Sequence, residues 1–249
     1  MTTSVTSEHD PPGTSAPRAA RGWAAVGVIG ELLITVGVVL LLFVAYQLWW
    51  TNVVAERAAD QQAIALQDSW SRPPLTPGGG EEGTEKQRRP KLGDAFALMY
   101  IPRLSDKVWG MPVLESVELP DLARGIGHYP ESQLPGQKGN FAVAAHRATN
   151  GEPFRDIDRL RVGDKVYVED RDSWFEYTLQ RDRIVAPQDG WVIEPVPGEP
   201  GAKPVERLIT LTTCNPRWAS TSRWIWWGEL SNSWDKATED VPAAIKAGR

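Results

Sequence analysis

The chain has 249 residues, 24% of them charged, and carries a formal charge of −5. That length accommodates one domain with a sizeable core plus appendages, and the acidic balance offers no basic face for a nucleic-acid partner. With Cys214 as the single cysteine, no internal disulfide is available.

Taken in chain order, residues 1–22 are rich in Ser, Thr, Pro and Ala and read as a disordered cytoplasmic tail. A transmembrane helix is expected over 23–50. Its core, Leu32 to Trp50, reads LLITVGVVLLLFVAYQLWW, without a charge. At 1.5 Å per residue it spans about 28 Å, close to the hydrocarbon thickness of a bilayer. The run is too long for a signal peptide, and Trp49 and Trp50 end it where an aromatic belt sits. Arg18 and Arg21 precede the helix and only Arg57 follows closely. The positive-inside rule therefore puts the N-terminus in the cytoplasm and the rest outside. Residues 51–91 combine a helix-forming stretch with a Pro/Gly-rich linker, expected to let a tethered domain reach substrates near the membrane.

From 92 to 249 the texture is one of short apolar runs broken by Gly, Pro and Asp. Residues 95–104, 108–116, 140–147, 164–170, 174–187, 207–214 and 223–230 have strand length, and KVYVE and FEYTLQ alternate by two. Helical stretches look short, at 117–125 and 153–160. Many strands with little helix imply a closed or nearly closed β-barrel. Two strands end in reactive side chains: NFAVAA runs into His146, and RLITLTT into Cys214. A strand terminus holds a side chain on a rigid element yet exposes it at the rim. An unpaired thiol outside the cell also needs a reason to be there.

A Cys–His pair can supply both a thiolate and a proton for the leaving amine. His128 is the rival base, but it is read in a glycine-rich GIGHYP loop with no apolar strand to fix it. His9 falls in the tail. One Cys and two usable His under-ligate zinc, and acidic pairs such as Asp156 and Asp158 read as solvated charge, so neither metal nor cofactor is expected. An oxyanion needs a donor, for which Arg217 and Arg223 compete. Other functions remain in play. Papain-like cell-wall peptidases place Cys before His, and L,D-transpeptidases use a compact Ser-x-Gly-Cys-x-Arg motif. Here His146 precedes Cys214 by 68 residues, after Thr212 and Thr213. A non-catalytic cell-wall binding module could use the Trp-rich RWIWWGEL, although tryptophan on a barrel strand more often serves the core.

Over about Ala95 to Leu230 the chain resembles sortases, on AHR at 145–147, GEPFRDIDRLRVGDKVYV at 151–168, TLTTC at 210–214 and the arginine opening the next strand. GIGHYPESQLPGQKGN, at 125–140, points to class E, the housekeeping type of high-GC Gram-positive bacteria. The resemblance implies a mainly β fold, a closed eight-stranded barrel with short helices behind one N-terminal membrane helix. It implies Cys214 as nucleophile, His146 as acid and base, and Arg223 rather than Arg217 at the oxyanion. Thr213 and Tyr129 would bind substrate. The implied reaction cleaves a C-terminal sorting signal between Thr and Gly through a thioacyl intermediate. The implied partners are secreted proteins bearing that signal, an amine on a lipid II-type cell-wall precursor, and the cytoplasmic membrane. A tyrosine at this motif is associated with choosing Leu-Ala-x-Thr-Gly over Leu-Pro-x-Thr-Gly. Ala145 and Asn215 stand where class E often has Gly and His.

Overall fold

The computed structural model describes residues 18–71 and 89–248; most of the expected tail and most of the linker lie outside the described residues. The chain divides into two compact units between Tyr46 and Gln47. In the first, α1 (Arg18–Ala45) contains a segment, Val26–Ala45, long and apolar enough to cross a membrane. Its apolar side chains, Leu32, Leu33 and Phe43 among them, are exposed. A π-helical turn over Tyr46–Trp50 follows.

The second unit holds α2 (Thr51–Ser71) and a closed barrel. Its strands are β1 (Ala95–Tyr100), β2 (Trp109–Leu114), β3 (Ile126–His128), β4 (Gly139–Ala144), β5 (Lys165–Glu169), β6 (Ser173–Val185), β7 (Arg207–Asn215) and β8 (Ser222–Asp235). Around the barrel they run β1-β2-β3-β4-β7-β8-β6-β5. All neighbours are antiparallel except β2–β3 and β4–β7. The eight-stranded closed barrel read from the sequence is therefore the fold.

The period of two decides what each strand buries. On β1, Ala97 and Met99 point into the barrel, joined by Val113, Phe141, Val143, Ile209, Leu211 and Trp226. Leu98 and Tyr100 point outward, where Leu66 of α2 packs on them with Tyr167 and Trp174. So α2 covers one outer face of the barrel, which explains the small Ala55 and Ala59 buried on its inner stripe. A third cluster, Val185, Val192, Ile225 and Trp227, pins the long β6–β7 connection to the outside of β8. The two foreseen helices shrink to α3 (Leu119–Leu122) and one 3-10 turn at Ile157–Arg159. A short α4 (Ala243–Ala247) and a 3-10 turn at Gly190–Ile193 carried no signal that the sequence reading used.

One expectation is corrected. GIGHYP is not a loose loop: β3 is inserted between β2 and β4, and His128 sits on it, completely buried. Its glycines serve close approach. A Cβ on Gly127 would lie 2.3 Å from the Ser116 carbonyl oxygen, and one on Gly125 2.4 Å from that of Pro112. Gly127→Ala therefore pushes β2 and β3 apart. It should lower stability by about 1–3 kcal/mol, seen as an earlier thermal midpoint of the full chain. An unshifted midpoint would show that the strands part without cost.

Candidate active site

The site is built on β7, which hydrogen-bonds on both edges. Along β4 the parallel register runs to Ala144 opposite Thr212. It continues past the strand end, because Ala145 N donates to the Thr212 carbonyl at 3.2 Å. His146 is the next residue, two past the end of β4. Along β8 the antiparallel register sets Arg223 directly opposite Cys214. Directly opposed residues point to the same face. Cys214 and Arg223 thus sit side by side on β7 and β8, and His146, just past the end of β4, extends the row at the barrel rim. Ile209 and Leu211 face the interior, so alternation turns Thr210, Thr212 and Cys214 outward.

Each member of the row has an environment suited to chemistry. Cys214 is partly exposed, as a nucleophile must be. His146 is half-buried, and its Nε2 is shut off from solvent without a hydrogen-bond partner. Burial pushes its pKa below the ordinary histidine value, favouring the neutral ring. Among the described residues the Arg223 Nη1 donates only to the backbone carbonyls of Ser220 (3.2 Å) and Ser222 (3.0 Å). Arg217, the rival, is engaged elsewhere: its Nη2 pairs with Glu152 at 2.6 Å and its guanidinium lies over Trp218.

The residues beside the row tie it together. Arg147 Nη1 donates to Asn215 Oδ1 at 2.7 Å, and Asn215 Nδ2 donates to Ser222 Oγ at 3.0 Å. The chain neighbours of His146, Cys214 and Arg223 are thereby one network, with Arg147 also over Trp224 and paired with Asp158. In the sequence Arg147 stands beside His146 with nothing to mark a role for it. Its burial, with 8% of its surface exposed, is what marks it.

Thr213 and Tyr129 fall into place differently. Thr213 is buried and donates its one hydroxyl proton to the Ala145 carbonyl at 2.7 Å, which leaves it none for an oxyanion. It braces the His146 segment instead. Tyr129 follows β3, and its hydroxyl lies 3.2 Å from Thr212 Oγ1. Burial raises the phenol's pKa, while the Thr212 hydrogen bond and the charge of Arg223 oppose that rise and a Cys214 thiolate adds to it. The phenol is therefore within electrostatic reach of the row. His128 is not part of it. Nδ1 lies 2.6 Å from Glu115, Nε2 2.9 Å from Ser132 Oγ, and the ring stacks on Phe141. Ser132 Oγ donates to the Tyr129 carbonyl at 2.8 Å, so this sealed Glu–His–Ser chain holds up the tyrosine rather than meeting a peptide.

The sortase domain model matches residues 99–231 of the chain. The chain is 43% identical over 224 residues to sortase SrtE1 of Streptomyces coelicolor, covering 86% of this chain and 60% of SrtE1. It is 39% identical over 216 residues to SrtE2 of the same organism, covering 83% and 82% respectively.

The chain belongs to the sortase family.

It thus spans less than two thirds of the length of SrtE1. The structure of sortase E from Streptomyces avermitilis aligns at a TM-score of 0.55 with 42% identity, covering 62% of this chain and 99% of that one. These relatives agree with the class E resemblance read at residues 125–140. Sortases are cysteine transpeptidases, and the binding-module alternative loses its basis here, since Trp226 and Trp227 are buried on opposite faces of β8.

The burial of His146 has a measurable consequence. Because the folded-state pKa is depressed, protonation of the ring is postponed to lower pH. The acid limb of the kcat/KM profile should titrate below the ordinary value of about 6.5, and so should the His146 ring protons by NMR. A titration at or above that value would mean that burial does not govern this ring.

Proposed function

We propose that the chain is a membrane-anchored transpeptidase that cuts a C-terminal sorting signal of the Leu-Ala-x-Thr-Gly type between Thr and Gly. It then passes the acyl group to an amine on a lipid II-type cell-wall precursor. The observation that carries this reading is the row itself, a partly exposed thiol beside a histidine whose buried Nε2 lacks a partner and a guanidinium that meets no carboxylate among the described residues. Neutral His146 takes the Cys214 thiol proton as the sulfur attacks the Thr carbonyl, and the carbonyl electrons move to oxygen. Arg223 faces that oxyanion with fixed N–H donors. As the C–N bond breaks, protonated His146 gives its proton to the departing Gly amine. The acceptor amine then attacks the thioester, neutral His146 takes its proton, and the thiolate leaves. In this reading Thr213 is a brace for the His146 segment.

The domain reading is part of the same proposal. Residues 1–22 form a cytoplasmic tail, 23–50 the single membrane span, 51–91 the juxtamembrane helix and linker, and 92–249 the catalytic domain outside the membrane. The flanking arginines and the exposed apolar surface of α1 support that orientation.

In the full chain, Cys214→Ala should abolish both peptide cleavage and amine transfer while the thermal midpoint is kept. Arg223→Lys should cost about a hundredfold in kcat, since a point charge does not reproduce the guanidinium fork. Arg217→Lys keeps an ion pair with Glu152 and should cost far less. The opposite ranking would move the oxyanion donor to Arg217.

Specificity follows from counting protons. Thr212 Oγ1 donates its only proton to the Val143 carbonyl at 3.1 Å. The contact with Tyr129 must then use the phenol proton, which leaves the phenol oxygen's lone pairs free to accept. An alanine at the second position of the signal offers an N–H to that oxygen, whereas proline has none. An unfilled acceptor costs about 1–3 kcal/mol, some five- to a hundredfold in kcat/KM. Tyr129→Phe should therefore narrow the preference for the alanine peptide over its proline counterpart. If the wild type prefers proline, or the preference survives intact, Tyr129 is not the reader.

A further inference from the structure

The β4–β5 connection turns sharply just after His146. Asn150, Gly151 and Glu152 all take left-handed backbone angles, with φ of 55°, 81° and 51°. Glycine adopts that conformation freely and asparagine tolerates it, but a glutamate there is strained and persists only where its surroundings over-determine it. Glu152 is also buried, with 5% of its surface exposed. A buried carboxylate needs partners, and this one draws them from two distant parts of the chain.

One carboxylate oxygen, Oε2, accepts from Arg217 Nη2 at 2.6 Å, in the turn between Cys214 and Arg223. The other, Oε1, accepts from Asn52 Nδ2 at 2.5 Å, in the first turn of α2. Asn52 holds the neighbouring backbone as well, its Oδ1 accepting from Gly151 N at 2.9 Å. Ala55, buried on the same helical turn, closes over the glycine: a Cβ added to Gly151 would sit 3.5 Å from that of Ala55. The segment behind His146 is fixed in turn, since Phe154 N donates to the His146 carbonyl at 3.0 Å and the Phe154 ring is in the core.

We propose that Asn52, Glu152 and Arg217 form a clasp through which the helix that follows the membrane span positions the active site. None of the three meets substrate. They act through the segments that carry His146 on one side and Arg223 on the other. Asn52 lies two residues beyond Trp50, the end of the apolar run. The clasp therefore makes full turnover a property of the chain with its anchor-side helix in place. It rests on the transpeptidase reading and adds to it a part from outside the barrel.

The test uses the full chain in detergent micelles with a fluorogenic Leu-Ala-Glu-Thr-Gly peptide. Wild-type turnover that disappears in Cys214→Ala establishes the underlying reading, so its failure is seen separately. Asn52→Asp sets a carboxylate against the Glu152 carboxylate and should lower kcat about tenfold, with KM changed less than about twofold. Adding Glu152→Gln exchanges donor and acceptor: the new amide donates to the new carboxylate, and its carbonyl still accepts from Arg217. The double variant should recover to within about threefold of wild type. Asn52→Ala, which removes the contacts without adding charge, should lose kcat at an unchanged thermal midpoint. Glu56→Gln breaks only the exposed pair of α2 with Lys107 and should leave turnover as it was. The clasp is overturned if Asn52→Asp or Asn52→Ala keeps wild-type kcat. It is equally overturned if the double variant is no better than the single one, or if Glu56→Gln is as damaging.

Discussion

The chemistry of this barrel depends on the register of β7 against its two neighbours. A strand paired with β4 on one edge and β8 on the other has no freedom to slide unless both ladders break together. A slip of one residue would also turn Cys214 into the core and Leu211 out to solvent. Side chains lock the pairing further, for the Thr210 hydroxyl donates to Asn140 Oδ1 at 2.7 Å across the β4–β7 seam. Position at the rim is therefore inherited from the core. Ile209 and Leu211 bury inward, and the thiol must consequently face outward, opposite an arginine placed by the antiparallel pairing of β8.

With position settled by packing, reactivity is settled by which charges are left unanswered. The arginines nearest the row are mostly matched: Arg147 by Asp158 and Asn215, Arg217 by Glu152. Among the described residues Arg223 meets only backbone carbonyls. The same selectivity holds for the imidazoles. His128 has both ring nitrogens satisfied, whereas His146 has a buried nitrogen with no partner. A buried, unsatisfied polar atom costs about 1–3 kcal/mol, and a native fold keeps one chiefly where something else is to bond there. On the proposed mechanism that something is the proton moving between thiol, leaving amine and acceptor.

Much of this was legible in the sequence, and the physical reasons for the rest are specific. Strands such as KVYVE and RLITLTTC announce themselves by alternation and by what ends them, so the barrel could be read, with Cys214 on a strand and His146 just past the end of one. β3 could not, because Gly125 and Gly127 signal flexibility when their purpose is close passage beside β2. Thr213 has the right neighbour for a substrate contact, yet its proton goes to Ala145, a fact of geometry alone. Glu152 and Arg217 are separated by 65 residues, and Asn52 lies 100 residues before Glu152, so no local pattern links them. Long-range polar partners leave no periodic trace.

α2 is itself part of the barrel's unit. A Pro/Gly-rich stretch between a membrane helix and a folded domain suggests a tether whose length sets the domain's reach. Here, however, Leu66 packs among Leu98, Tyr100, Tyr167 and Trp174, and the Lys236 ammonium lies 4.5 Å from the centre of the Trp70 ring. Both ends of the stretch between Ser71 and Arg89 thus belong to one compact unit. On the proposed reading the acceptor sits on a membrane-borne carrier, so anchoring the enzyme raises the effective concentration of the two, and the proposed clasp lets α2 order the row.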